Sequence, residues 1–128
     1  MAKGHDKHRA HQAALAALGR GLARRCRSCC ELCGEGGSLR VYELPGGPAE
    51  PEEGWAVMLC GRCGEVHTGA RRHDAEGLRF LETAIWSEVQ PAQIAAVRIT
   101  RGLAEAGVEW ARDCLDGLYL DEAIEALL

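Results

Sequence analysis

The chain has 128 residues, of which 47% are hydrophobic, 27% charged and only 5% aromatic, with a formal net charge of -4 at pH 7. That length fits one domain, residues 1–128, with a modest core. It contains no run of about 18 apolar residues and no signal-peptide core, so neither a spanning helix nor a membrane partner is expected and the chain reads as soluble and cytoplasmic. Seven cysteines, most in Cys-x2-Cys pairs, argue against a secreted disulfide scaffold, which would not need that spacing.

The charge is unevenly placed. Residues 1–27 hold seven of the fifteen Lys and Arg against the single acid Asp6, so the remaining chain is strongly acidic. The two ends therefore have different partners or neutralise each other. Residues 1–25 read as a basic N-terminal helix whose apolar stripe is Leu15, Leu18 and Leu22. His5, His8 and His11 would share a face if that helix reached so far back. Arg20, Arg24, Arg25 and Arg27 could meet nucleic-acid phosphates, pair with the acidic half, or favour the helix C-terminus. No aromatics are interleaved with them for base stacking, so the nucleic-acid signal is weak.

Residues 26–69 carry the strongest pattern, a zinc finger. Cys30-Glu-Leu-Cys33-Gly34 and Cys60-Gly-Arg-Cys63-Gly64 flank a loop of moderate length. Each two-residue spacer lets a tight turn aim two thiolates at one Zn2+. The glycine after each pair can take positive φ and swing backbone N–H groups toward the sulfurs. Cys26 and Cys29 have the same spacing, but Cys30 rather than glycine follows them. They read as spare thiols, an alternative register or a redox-sensitive pair. Leu39–Leu44 and Trp55–Leu59 read as two short strands around a Pro/Gly-rich loop, and the hairpin would bring the pairs together.

The stretch after Gly64, through His67 to His73, reads as polar and turn-rich. Residues 74–128 read as a helical bundle. A helix from about Ala75 to Trp86 comes first. A second starts at Gln90-Pro91 and stops at Gly107, and a third carries Val108, Ala111, Leu115 and Leu118. Asp121 can cap a short last helix, and Cys114 reads as a buried core cysteine. The fold class expected is α+β and helix-rich: a small four-cysteine finger, either treble clef or zinc ribbon, packed with a helical bundle.

Two resemblances follow from these motifs. The order Cys30-Glu-Leu-Cys33-Gly34, Leu39-Arg-Val-Tyr-Glu-Leu44-Pro45, Leu59-Cys60-Gly-Arg-Cys63, Ile85-Trp86-Ser-Glu-Val89-Gln-Pro91 and Leu118-Tyr-Leu-Asp121 resembles the PhnA-like family of bacterial proteins. It implies a zinc finger joined to helices. The family's name comes from phosphonate-utilisation operons, which does not by itself secure a phosphonate-hydrolysing activity. The matched motifs do not include the small β-domain of longer members, so no activity of that domain is expected to carry over.

More distantly, the layout is similar to four-cysteine HNH nucleases, which are treble-clef fingers. There the polar pair after the first strand is usually Asp-His or His-His, supplying a metal ligand and a general base. Here Tyr42 and Glu43 stand in those positions, and a phenol and an ordinary carboxylate suit that chemistry poorly. The sequence is thus read as a noncatalytic zinc-binding protein with Cys30, Cys33, Cys60 and Cys63 as ligands, acting on an unidentified protein or nucleic acid. Two alternatives stay open. One is an enzyme, either a divergent nuclease using Glu43, His67 and His73 or a phosphonate-related hydrolase. The other is a thiol switch at Cys26 and Cys29.

Overall fold

A computed structural model describes residues 2–128, with side chains from Asp6 onward. Two helices, α1 (Ala2–Ala17) and α2 (Gly19–Cys26), precede an antiparallel hairpin of β1 (Arg40–Glu43) and β2 (Ala56–Leu59). Helix α3 (Gly61–Thr68) follows β2 directly. After it come a 3-10 turn at Ala75–Leu78, α4 (Leu81–Ala84), α5 (Gln90–Glu105), α6 (Glu109–Asp116) and α7 (Glu122–Glu125).

The hairpin is sandwiched between the two helical groups, and β2 makes this possible. All four of its residues are buried, and alternation along a strand sends them to opposite faces. Val57 and Leu59 join the main cluster, with Leu81, Ile85, Ile94, Ala95 and Val97 of the C-terminal helices. Ala56 and Met58 join a smaller cluster with Leu15 and Leu22 of α1 and α2. Leu22 is fully buried, and a side chain of that size contributes about 1.5–3 kcal/mol when removed from water. The register places Arg40 opposite Leu59 and Glu43 opposite Ala56.

Several expected elements change form. The N-terminal helix is two, because the chain turns at Leu18, whose N–H bonds Leu15 O, before Gly19 opens α2. The stretch after Gly64, read as turn-rich through His73, is helical as far as Thr68, where α3 ends at Gly69 with φ +77°. The helix expected over Ala75–Trp86 is a 3-10 turn plus the single turn α4, and Trp86 remains half exposed. By contrast, α5 begins at Gln90 with proline in its first turn, where a missing N–H costs nothing. It stops before Gly107, whose φ of +94° lets Val108 N–H reach back to Leu103 O. Asp121 sits at the N-cap position of α7, yet its side chain makes no capping bond. Cys114 is half buried at the edge of the core rather than within it.

Candidate metal centre

The structure brings Cys30, Cys33, Cys60 and Cys63 together, with all four Sγ atoms within 4.8 Å of one another. Cys33 Sγ and Cys60 Sγ are 3.6 Å apart. A tetrahedral ion holding thiolates at about 2.3 Å places its sulfurs about 3.8 Å apart, so the cluster has the size and donor set for one thiophilic metal ion. Three of the four residues are buried and Cys33 is half buried, which keeps competing water from most of the site.

Local structure explains the convergence. Cys30 and Cys33 lie on a tight turn closed by Gly34 N–H to Cys30 O at 2.9 Å and by Cys30 N–H to Glu35 O at 2.8 Å. Gly34 takes φ +83°, the left-handed conformation expected of it. Cys60 is the N-cap of α3 and Cys63 lies in its first turn, so the helix start aims both sulfurs at the knuckle.

Gly64 departs from the expectation. It is a helical residue of α3 without positive φ, and the reason for glycine there is close packing. A Cβ at this position would collide with the Tyr42 ring, including the hydroxyl oxygen and Cε2, the latter at 2.8 Å.

The electrostatics of Cys30, Cys33 and Cys63 suit a cation. Cys30 is lowered to about 4, chiefly because its sulfur accepts a hydrogen bond from the Cys63 thiol, with further help from the backbone N–H groups of Cys33, Cys60 and Leu32. Cys63 is pushed up strongly because it is the donor in that bond and is buried beside other sulfurs. Burial, first of all, also raises Cys33. Each added negative charge is opposed by those present, and a bound metal ion reverses that balance. Arg62, in the spacer of the second pair, supplies some positive charge: its guanidinium is held in the charged form by a hydrogen bond to Cys33. The same side chain bonds Gly77 O at 3.2 Å and lies over the Phe80 ring at 5.1 Å, tying the finger to the helical half.

Two supporting residues escaped sequence reasoning. Glu31, inside the first Cys-x2-Cys spacer, is a buried carboxylate whose side chain is 3% exposed. It takes a two-pronged contact from Arg25, Nε to Oε1 at 2.7 Å and Nη2 to Oε2 at 2.8 Å, and accepts Met58 N–H at 2.9 Å. Arg25 also donates to the carbonyls of Glu53 and Ala56, both at 2.8 Å. An acid between two apolar-packed ligands was the available signal. Arg25, one of four arginines read as open to phosphates, to acidic partners or to the helix C-terminus, is committed to joining α2, the knuckle and the hairpin.

Cys26 and Cys29 lie outside the cluster. Their thiols donate to Ala23 O and Arg27 O, and the chain between them reverses through Arg27 and Ser28, both at positive φ.

The residues of the nuclease reading are not brought together. Glu43 and Tyr42 alternate along β1. The Glu43 carboxylate faces α1, where Oε1 meets His11 Nε2 at 2.7 Å, while Tyr42 packs edge-on against the His67 ring on the α3 side. His67 reaches only the Glu43 backbone carbonyl, at 3.2 Å, and burial holds its imidazole below the usual range. His73 is nearest Glu65, at 3.4 Å. The histidine face expected on α1 is partly accounted for: His8 is exposed and His11 is engaged by Glu43, while the side chain of His5 lies outside the described residues.

Among the described residues, the ion pairs that join residues 1–27 to the acidic remainder are Arg25–Glu31 and His11–Glu43, both to the finger, and no helix is long and apolar enough to cross a membrane. Compared with protein-family models, curated proteins and solved structures, the chain has no match in any of the three.

Proposed function

We propose that the chain is a noncatalytic zinc-binding protein of the PhnA-like type, in which a structural four-cysteine site holds a scaffold for contact with another macromolecule. The observation that carries this reading is the closed set of Cys30, Cys33, Cys60 and Cys63 sulfurs within 4.8 Å. Four cysteinates fill a tetrahedral zinc and leave no position for substrate or activated water. Zinc suits an all-thiolate, tetrahedral set by softness and geometry. A treble clef is favoured over a ribbon because the second cysteine pair sits on the first turn of a helix, α3, that follows the hairpin.

The partner reading rests on charge. Arg20, Arg24 and Arg27 are exposed and have no carboxylate partner among the described residues. A polyanion such as nucleic acid would supply one.

Metal analysis with thiol titration tests the core of the proposal. The native chain should carry one zinc, with Cys26, Cys29 and Cys114 reacting first and the four clustered thiols reacting only after chelation. A folded protein isolated with no metal, and indifferent to added zinc, would overturn it.

A further inference from the structure

Two cavities lie side by side between α3 and α5, about 320 and 380 Å³ in volume, and share Val66, Gly102 and Leu103 in their walls. The two adjoin along these shared walls as parts of one surface groove, and each alone lies at the low end of the size range of small-molecule sites. Its floor is apolar at Val66 and Leu103, while Arg71, Arg72 and His73 line one end. No acidic side chain lines either half, and neither arginine has a carboxylate partner among the described residues. Arg98, at the other end, is already used: it donates to Pro45 O and Leu127 O.

Two further observations concern what the groove is open for. His73 Nε2 is buried and makes no hydrogen bond, with Glu65 Oε1 3.4 Å away. That carboxylate is the partner the imidazole faces, so the anion end of the groove rests on the two arginines. Gly102 lies within α5, where glycine costs about 1 kcal/mol relative to alanine, yet a Cβ there would meet nothing within 4 Å. Packing inside the chain gives no reason for glycine at that position. Gly102 lines both cavities, and a long side chain there would project from their shared wall.

We propose that this groove binds a small amphipathic organic anion. The apolar body lies along Val66 and Leu103 past Gly102, and a carboxylate or phosphate head meets Arg71 and Arg72. The proposal stands apart from the metal site and from the arginines of α2.

The test is calorimetry on the metal-loaded full chain with octanoate, octyl phosphate and octanol. One anion should bind per chain, at least about tenfold more tightly than octanol; the better of octanoate and octyl phosphate identifies the head group. Arg71→Gln with Arg72→Gln should reduce that anion to the octanol level. Gly102→Leu should abolish binding while metal content and helicity stay unchanged. Equal affinity for octanol, undiminished binding in either variant, or no binding of either anion at ~1 mM would each overturn the proposal.

Discussion

Arg25 and Glu31 form a two-pronged, largely buried ion pair, with contacts of 2.7 and 2.8 Å, that fastens α2 to the cysteine knuckle. The Glu31 backbone adds to it, donating to Met58 O at 2.9 Å while its carboxylate accepts Met58 N–H. The knuckle is thus hydrogen-bonded to β2 independently of any metal. Removing one partner of a buried pair leaves an uncompensated charge and costs about 3–5 kcal/mol. Arg25→Ala should cost this much, because the carboxylate would keep only the Met58 N–H. Denaturant midpoints of metal-loaded protein check it: a double-mutant cycle with Glu31→Ala should show clear coupling, and a loss below about 1 kcal/mol for Arg25→Ala would mean the pair behaves as a surface one.

Gly64 and Tyr42 make the second prediction. Gly64→Ala forces a Cβ into the Tyr42 ring, an overpacking that costs about 1–3 kcal/mol. Tyr42→Val should relieve the clash, so the alanine would cost less in that background. Gly34→Ala, by contrast, meets no atom within 4 Å but sits at φ +83°, and its cost of roughly 1–2 kcal/mol comes from the backbone alone. No change at Tyr42 should alter that cost. Thermal unfolding of the single and double variants separates the two cases.

His67 supplies a pH dependence. Burial is the main cause of its lowered pKa, opposed by the hydrogen bond to the Glu43 carbonyl and reinforced by nearby Arg98. The unfolded chain therefore binds a proton at this residue more readily than the folded one. Stability from the neutral imidazole is complete above the ordinary histidine value of about 6.5 and is lost as pH falls from there toward the lowered folded value. His67→Gln should remove this part of the slope. The comparison is made between pH 7 and about 5.5 with metal content measured at each point, because acid also protonates the cysteines; identical slopes in the two proteins would count against it.

How much of this was legible in the sequence depended on whether the cause was local. The four clustered cysteines, the hairpin and the start of α5 follow from spacing, turn residues and a proline, all readable within a few positions. Helix α3 was hidden because Gly64 read as a turn glycine, whereas it answers to Tyr42, 22 positions earlier. The role of Arg25 was left open among three for a similar reason: its partners lie in the knuckle and across the hairpin loop at Glu53 and Ala56. The Glu43–His67 pairing was open in the sequence, and the alternation of β1, which sends Glu43 toward His11, decides against it.

The separation of Arg25 from its neighbours leads to the last prediction. Arg20, Arg24 and Arg27 are exposed, so replacing all three by Gln should leave the stability of the metal-loaded protein within about 0.5 kcal/mol. If a nucleic acid is the partner, each phosphate contact contributes about 0.9 to the slope of log affinity against log salt on duplex DNA and about 0.7 on single strands. The triple variant should flatten that slope by about 2–3 and weaken binding without regard to sequence. Arg25→Gln should do the reverse, lowering stability while leaving the salt slope of the remaining folded protein unchanged. Salt titrations of a fluorescent oligonucleotide, run beside denaturation curves for both variants, distinguish these outcomes. A triple variant with the parental slope would remove α2 as the contact surface.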